Sequence, residues 1–89
     1  MPDNIWVDYS FVIRGKQRRQ IMVLMTRPKT PTELSKESGL NLSNTSRVLK
    51  QLEARGLVEC LTPAEVLGRI YAITKKGEDV LGKVRELMS

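Results

Sequence analysis

Apolar and polar positions alternate along this chain with periods that change at recognisable breaks. Residues 5–13, IWVDYSFVI, are apolar apart from Asp8 and Ser10, a run too short for periodicity to separate a short helix from an extended arm. Gly15 interrupts it. From Lys16 to Thr26, Ile21, Met22, Leu24 and Met25 recur at i, i+1, i+3 and i+4, one apolar stripe on a helix-forming background. Arg27-Pro28-Lys29 ends that helix, because the residue before a proline is pushed out of the helical region.

Thr30-Pro31-Thr32-Glu33 predicts the next start. Thr30 can cap, Pro31 suits the first helical position, and Glu33 completes a capping box. Leu34 then points inward, with Ser35, Lys36 and Glu37 outside, and Gly39 is placed as a left-handed C-cap. Leu40 and Leu42 are expected to plug the turn that follows.

Ser43 is expected to cap the next helix, which runs to about Arg55 and stops at Gly56. At 100° per residue, Thr45, Val48, Leu49 and Leu52 share one side and belong to the core. Ser43, Arg47, Lys50 and Ala54 point away from it, flanked by Ser46 and Glu53 on one side and Asn44 and Gln51 on the other. Leu57–Leu61 and Arg69–Ile73 are β-type runs, and TPAEVLG between them carries Pro63 and Gly68, so the pair predicts a hairpin. Its tip is not basic: Glu65, Val66 and Leu67 stand there, with Arg69 at the foot. Thr74 is expected to cap a last helix, in which Val80, Leu81, Val84, Leu87 and Met88 form a stripe. The expected division is an arm or short helix over 1–14, a central domain over 15–74 and an amphipathic helix over 75–89.

Charge narrows the partners. The chain has 89 residues, enough for one small domain, and a net charge of +5, which favours an anionic partner such as nucleic acid. Arg14, Lys16, Arg18 and Arg19 crowd the start of a helix, where cations oppose the helix dipole. They read either as a solvated face or as contacts to a nucleic-acid backbone. With one cysteine and no histidine, a disulfide framework is closed off, as are a zinc site and the Cys-His and Ser-His-Asp routes to catalysis. Cys60 reads as a small strand hydrophobe. Glu33, Glu37 and Glu53 read as cap and surface charges rather than acid-base groups, so no enzyme is expected. No apolar run approaches a membrane span, and a cytoplasmic location is expected.

The segments RRQIMVLM, TPTELSKESGLNLSNTSRVLKQLEARGLV and GRIYAITKKGEDVL together resemble the winged helix-turn-helix regulators of the ArsR/MarR-like group, small archaeal members above all. The resemblance covers residues 14–82. It implies a mainly α fold with a small β-hairpin (α+β): a three-helix core, a wing and a C-terminal helix. It also implies sequence-specific binding of double-stranded DNA, usually as a homodimer. Carried over by position, the contacts of the reading helix fall to Ser43, Asn44, Ser46, Arg47, Lys50 and Gln51. Thr32 would touch the backbone and Arg69 would serve the wing. The chain departs from the group in lacking the metal-sensing Cys pair and His ligands, and the basic cluster usual at a wing tip. No cofactor, metal or small-molecule ligand is expected. A winged-helix module that docks protein rather than DNA is the alternative, with Val66, Leu67 and the apolar termini as its surfaces.

Overall fold

The apolar run at the N-terminus is a helix, held at its start by Asn4, whose side chain accepts from the Trp6 amide at 3.0 Å. The computed structural model describes residues 4–88, in the order α1 (Ile5–Arg14), α2 (Lys16–Leu24), α3 (Pro31–Ser38), α4 (Leu42–Ala54), β1 (Val58–Cys60), β2 (Tyr71–Ile73) and α5 (Lys75–Met88). Residues 1–3 and 89 of the expected terminal segments, and the Met88 side chain of the expected stripe, lie outside the described residues.

The charge run before α2 is explained by its neighbour. Arg18 Nε donates to the Phe11 carbonyl at 2.7 Å, with its guanidinium 4.0 Å above the Phe11 ring. Arg19 donates to the Ile13 carbonyl at 3.4 Å. Cations that oppose the dipole of α2 therefore satisfy the free carbonyls at the C-terminus of α1, where positive charge is favoured. Neither of the two alternatives drawn from the sequence describes Arg18 and Arg19.

The helix expected over 16–26 ends at Leu24, and the following segment turns toward the hairpin. Lys29 pairs with Tyr71 through both its amide and its carbonyl, each at 2.9 Å, adding a third strand position beside β2. Its side chain is buried, and the ammonium donates to the Leu24 carbonyl and to Glu37 Oε1, both at 2.6 Å. β1 and β2 are antiparallel with Val58↔Ile73, Glu59↔Ala72 and Cys60↔Tyr71 in register. These strands are shorter than the 57–61 and 69–73 expected, because Thr62 Oγ1 takes the Ile70 amide at 3.0 Å where a ladder partner would be needed. Cys60 packs partly buried against the core, as a small hydrophobe should.

The caps of α3 form as expected. Thr30 Oγ1 accepts from the Glu33 amide at 3.1 Å while Glu33 Oε1 accepts from the Thr30 amide at 3.1 Å, and Gly39 closes the helix at φ 78°. Ser35, expected outside, instead stitches the turn by donating to the Leu40 carbonyl at 2.6 Å. Leu40 packs against the core, but Leu42 does not.

The N-cap of α4 differs from the expectation. Asn41, not Ser43, caps the helix: its Oδ1 accepts from the Asn44 amide at 2.7 Å, and the helix begins at Leu42. Asparagine and serine cap about equally well, so either position was available locally. Starting at Leu42 lets Thr45 bury its hydroxyl against the Asn41 carbonyl at 2.9 Å. Thr45, Val48, Leu49 and Leu52 are all buried, meeting Ile21, Met22 and Leu34 from the other helices.

The C-terminus of α4 is tied to both terminal helices. Asp8 of α1 is buried and sits 3.7 Å from Arg55 and 3.3 Å from Lys76. The Arg55 guanidinium lies 4.3 Å from the Phe11 ring centre, and Lys76 donates to the Arg55 carbonyl at 2.8 Å. Thr74 starts α5 by accepting from the Gly77 amide at 3.0 Å. Val80, Leu81 and Val84 of the predicted stripe are buried, whereas Leu87 faces outward. Among the described residues, no helix is long and apolar enough to cross a membrane.

Gly77 is buried where a Cβ would run into the Leu57 carbonyl and the Ile73 side chain, while a Cβ on Gly82 would meet open space. Gly77→Ala should therefore destabilise the fold by about 1–3 kcal/mol, the usual cost of overpacking. Gly82→Ala should stabilise it by about 0.5–1 kcal/mol, the difference in helix propensity. Urea denaturation of the two variants checks the opposite signs.

Arg27 donates to Glu33 Oε2 at 2.8 Å, and this bond, with the Thr30 amide, holds the Glu33 carboxyl below its ordinary range. A depressed folded-state value means the stabilisation is present above the unfolded-state value and is lost as pH falls through the folded one. An NMR titration should find Glu33 titrating low, and Arg27→Gln should move its midpoint up. The stabilities of the parent and this variant should converge as the solution is acidified through that range.

Candidate nucleic-acid interface

Helix α4 buries one side and leaves the other uncovered. Ser43, Ser46, Arg47, Lys50, Gln51 and Ala54, with Leu42 at the start, line a single open face. The face exists because the apolar positions of α4 repeat with the helical period, so every residue between them turns outward. Small side chains, Ser43 in the first turn and Ser46 at the start of the second, stand where a neighbouring surface can approach closely. Long cationic ones, Arg47 and Lys50, follow them, each four residues on.

Two clefts flank this face. On one side Ser46 and Lys50 share a cleft with Thr30, Pro31 and Thr32 at the start of α3 and with Val66, Leu67 and Arg69 of the wing. On the other side Arg47 and Gln51 meet Lys16, Gln17 and Arg18 at the start of α2. The fold thus gathers seven of the eight residues singled out from the sequence. Ser43, Ser46, Arg47, Lys50 and Gln51 share the open face, and Thr32 and Arg69 join them across the wing cleft. Asn44 stands apart. It is half-buried, and its Oδ1 accepts from Arg47 Nη2 at 3.0 Å, so it positions that guanidinium.

The cations differ in how firmly they are held. Among the described residues, nothing pairs with the Lys50 ammonium, which is exposed and free to reorient. Arg69 is anchored, with Nε donating to the Glu65 carbonyl at 2.7 Å across the wing loop. The wing tip itself is aliphatic, Val66 and Leu67 being 85% and 86% exposed.

Reading the sequence alone missed two residues here. Leu42 was assigned to the turn, yet it lines both the open face and the wing cleft. Testing Asn41 as the cap would have moved it into the first helical turn. Lys16 was one of a basic group, and only packing shows that it faces the α4 cleft beside Arg18, whose guanidinium is bound to the Phe11 carbonyl, while Arg19 does not line it. Among the described residues, no group of three His, Cys, Asp or Glu side chains could hold a metal ion.

The fold is similar to that of known proteins. Residues 13–65 match the family model described as MarR family. Among curated proteins, none matches the sequence. A solved structure of RV1404 from Mycobacterium tuberculosis is similar at 25% identity with a TM-score of 0.72, covering 81% of this chain and 51% of that one. The homodimeric winged helix-turn-helix DNA-binding domain Mb0332 from Mycobacterium bovis, a possible ArsR-family regulator, is similar at 25% identity and TM-score 0.71, covering 94% and 75%. The transcriptional regulator Tm0710 from Thermotoga maritima is similar at 32% identity and TM-score 0.66, covering 92% and 63%. The chain spans about half the length of the Mycobacterium tuberculosis protein, 51%. The family match takes in α2, α3, α4 and the first strand, which include every residue of the open face and of the α2 cleft though not the wing side of the other cleft, and the chain belongs to the MarR family of winged helix-turn-helix transcription regulators, which are not enzymes.

Proposed function

We propose that this protein binds double-stranded DNA sequence-specifically, as a homodimer, with α4 inserted in the major groove. The observation that supports this most is the open face of α4, with Ser43 and Ser46 in front and Arg47 and Lys50 behind. Short hydroxyls permit close approach to base edges, while Arg and Lys take guanine edges or phosphates. Thr32 at the start of α3 contacts backbone from one side. Arg69 and the aliphatic wing lie along the same strand, with reduced capacity for phosphate.

Pairing is supported by the outer surface of the terminal helices. Trp6 and Val7 are 53% and 51% exposed, and Tyr9 packs edge-on to Trp6 at 5.8 Å. Lys83 of α5 lies 5.5 Å from the Trp6 ring centre, and Leu87 one turn on is also exposed. Trp6, Val7 and Leu87 are thus apolar side chains left uncovered on α1 and α5, the kind of surface a small domain covers with a second copy.

The alternative, a protein-docking module without DNA readout, is favoured by one feature, the exposed Val66 and Leu67. Selection from random duplex DNA separates the two readings. A pseudo-palindrome with half-sites about 34 Å apart is expected. Its affinity should fall with salt at a log-log slope of about −0.9 per phosphate contacted. Arg47→Ala combined with Lys50→Ala should reduce specific binding by roughly thirtyfold or more, two contacts at about 1–3 kcal/mol each. Unchanged affinity in that variant, or no enrichment at low salt, would overturn the assignment.

Sedimentation equilibrium should return twice the 10.1 kDa chain mass. Trp6→Asp with Leu87→Asp should halve it while leaving the helical circular dichroism intact. A monomeric parent would remove the dimer from the proposal.

A further inference from the structure

Leu42 is a leucine that the core does not use. It is the first residue of α4 and is 49% exposed. Leu40, two residues earlier, packs against the core, and Leu42 is not among the side chains that do. Its neighbours on the helix surface are Ser43, Ser46 and Lys50, so a branched aliphatic group stands amid hydroxyls and a cation. The wing does not cover it, since Val66 and Leu67 across the cleft are themselves almost fully exposed.

We infer that Leu42 recognises the C5-methyl group of a thymine at the edge of each half-site, an inference that rests on the major-groove reading of α4. The floor of the major groove offers hydrogen-bond donors, acceptors and one apolar group, the thymine methyl. Of the side chains on the open face, Leu42 alone is both large and wholly apolar; Ala54 is too short and stands at the far end of the helix. Position reinforces chemistry. The N-terminal residues of a recognition helix are those that reach base edges, and Leu42 is the first residue of α4, ahead of Ser43 and Ser46. The two serines are short enough to let the leucine reach the groove floor. Leu42 is therefore a specificity residue, and Arg47 and Lys50 remain the principal source of affinity.

The half-site obtained by selection provides the test. Each thymine in turn is replaced by deoxyuridine, which pairs identically and lacks only the methyl group. The parent protein should lose about three- to fivefold in affinity at one position per half-site, the amount expected for burying one methyl group, and little elsewhere. Leu42→Ala should bind thymine and deoxyuridine duplexes equally at that position, while Leu42→Met should keep the discrimination. A parent protein indifferent to every substitution overturns the inference and leaves the DNA-binding reading intact. So does an undiminished penalty in Leu42→Ala. Failure to enrich any duplex removes both. The deoxyuridine series on the parent needs no variant, so a misfolded substitution cannot shield the inference.

Discussion

Burial of the Lys29 ammonium constrains where every other part of the binding surface can stand. A charged amine removed from water is costly unless it is paired and hydrogen-bonded. Lys29 meets that demand with the carbonyl that ends α2 and with Glu37 near the end of α3, both at 2.6 Å. The same residue uses its backbone to pair with Tyr71 on the wing strand. One position therefore fixes the end of one helix, the tilt of a second and the base of the hairpin. The Glu37 carboxylate is partly exposed, so solvent screens the ion pair. Its directional hydrogen bonds matter more than its Coulomb energy. Thr30 and Tyr71, the chain neighbour and the ladder partner of Lys29, both line the wing cleft between Thr32 and Arg69.

The opposite end of α4 is held by a different chemistry. Asp8, Phe11, Arg18, Arg55 and Lys76 bring α1, α2, α4 and α5 together around one aromatic ring and one buried carboxylate. Arg55 and Lys76 remain partly solvated while Asp8 does not, so the cluster locates α1 more than it stabilises the fold. Its consequence is mechanical. The helices that carry the apolar outer surface, with Trp6 and Leu87, are fastened directly to the end of α4. In a dimer built on that surface, a tilt between paired copies would pass to α4 with little slack. The separation of two reading helices would then follow the packing of α1 on α5.

The binding surface divides its labour unevenly. Wing cations are few, and Arg69 is already committed to the Glu65 carbonyl. Most of the charge lies instead on α4, at Lys50 and at Arg47, which Asn44 orients, and at Lys16 beside it. The proposed complex would thus be anchored from the centre and from the α2 side, with the aliphatic wing adding contact area rather than charge.

Features set within one or two helical turns were legible from the residues alone. The capping box at Thr30 and Glu33, the left-handed Gly39, the Thr74 cap and the buried side of α4 all depend on partners no more than four positions away. That spacing by itself also turns Ser43, Ser46, Arg47, Lys50 and Gln51 outward. Where two local solutions were nearly equal, tertiary packing chose. Asn41 and Ser43 were both adequate caps, and with Leu40 packed in the turn and Thr45 buried, the helix opened at Leu42. The short run 5–13 became helical in a setting where Asp8 meets Arg55 and Lys76, far along the chain. Lys29 became a strand residue because Tyr71 came alongside. The sequence by itself therefore determined which faces are apolar and where helices start and stop, since those follow from neighbours along the chain. Only the tertiary structure decided which cations remain free and which leucine stands exposed, because burial and pairing are set by residues that meet only when the chain has folded.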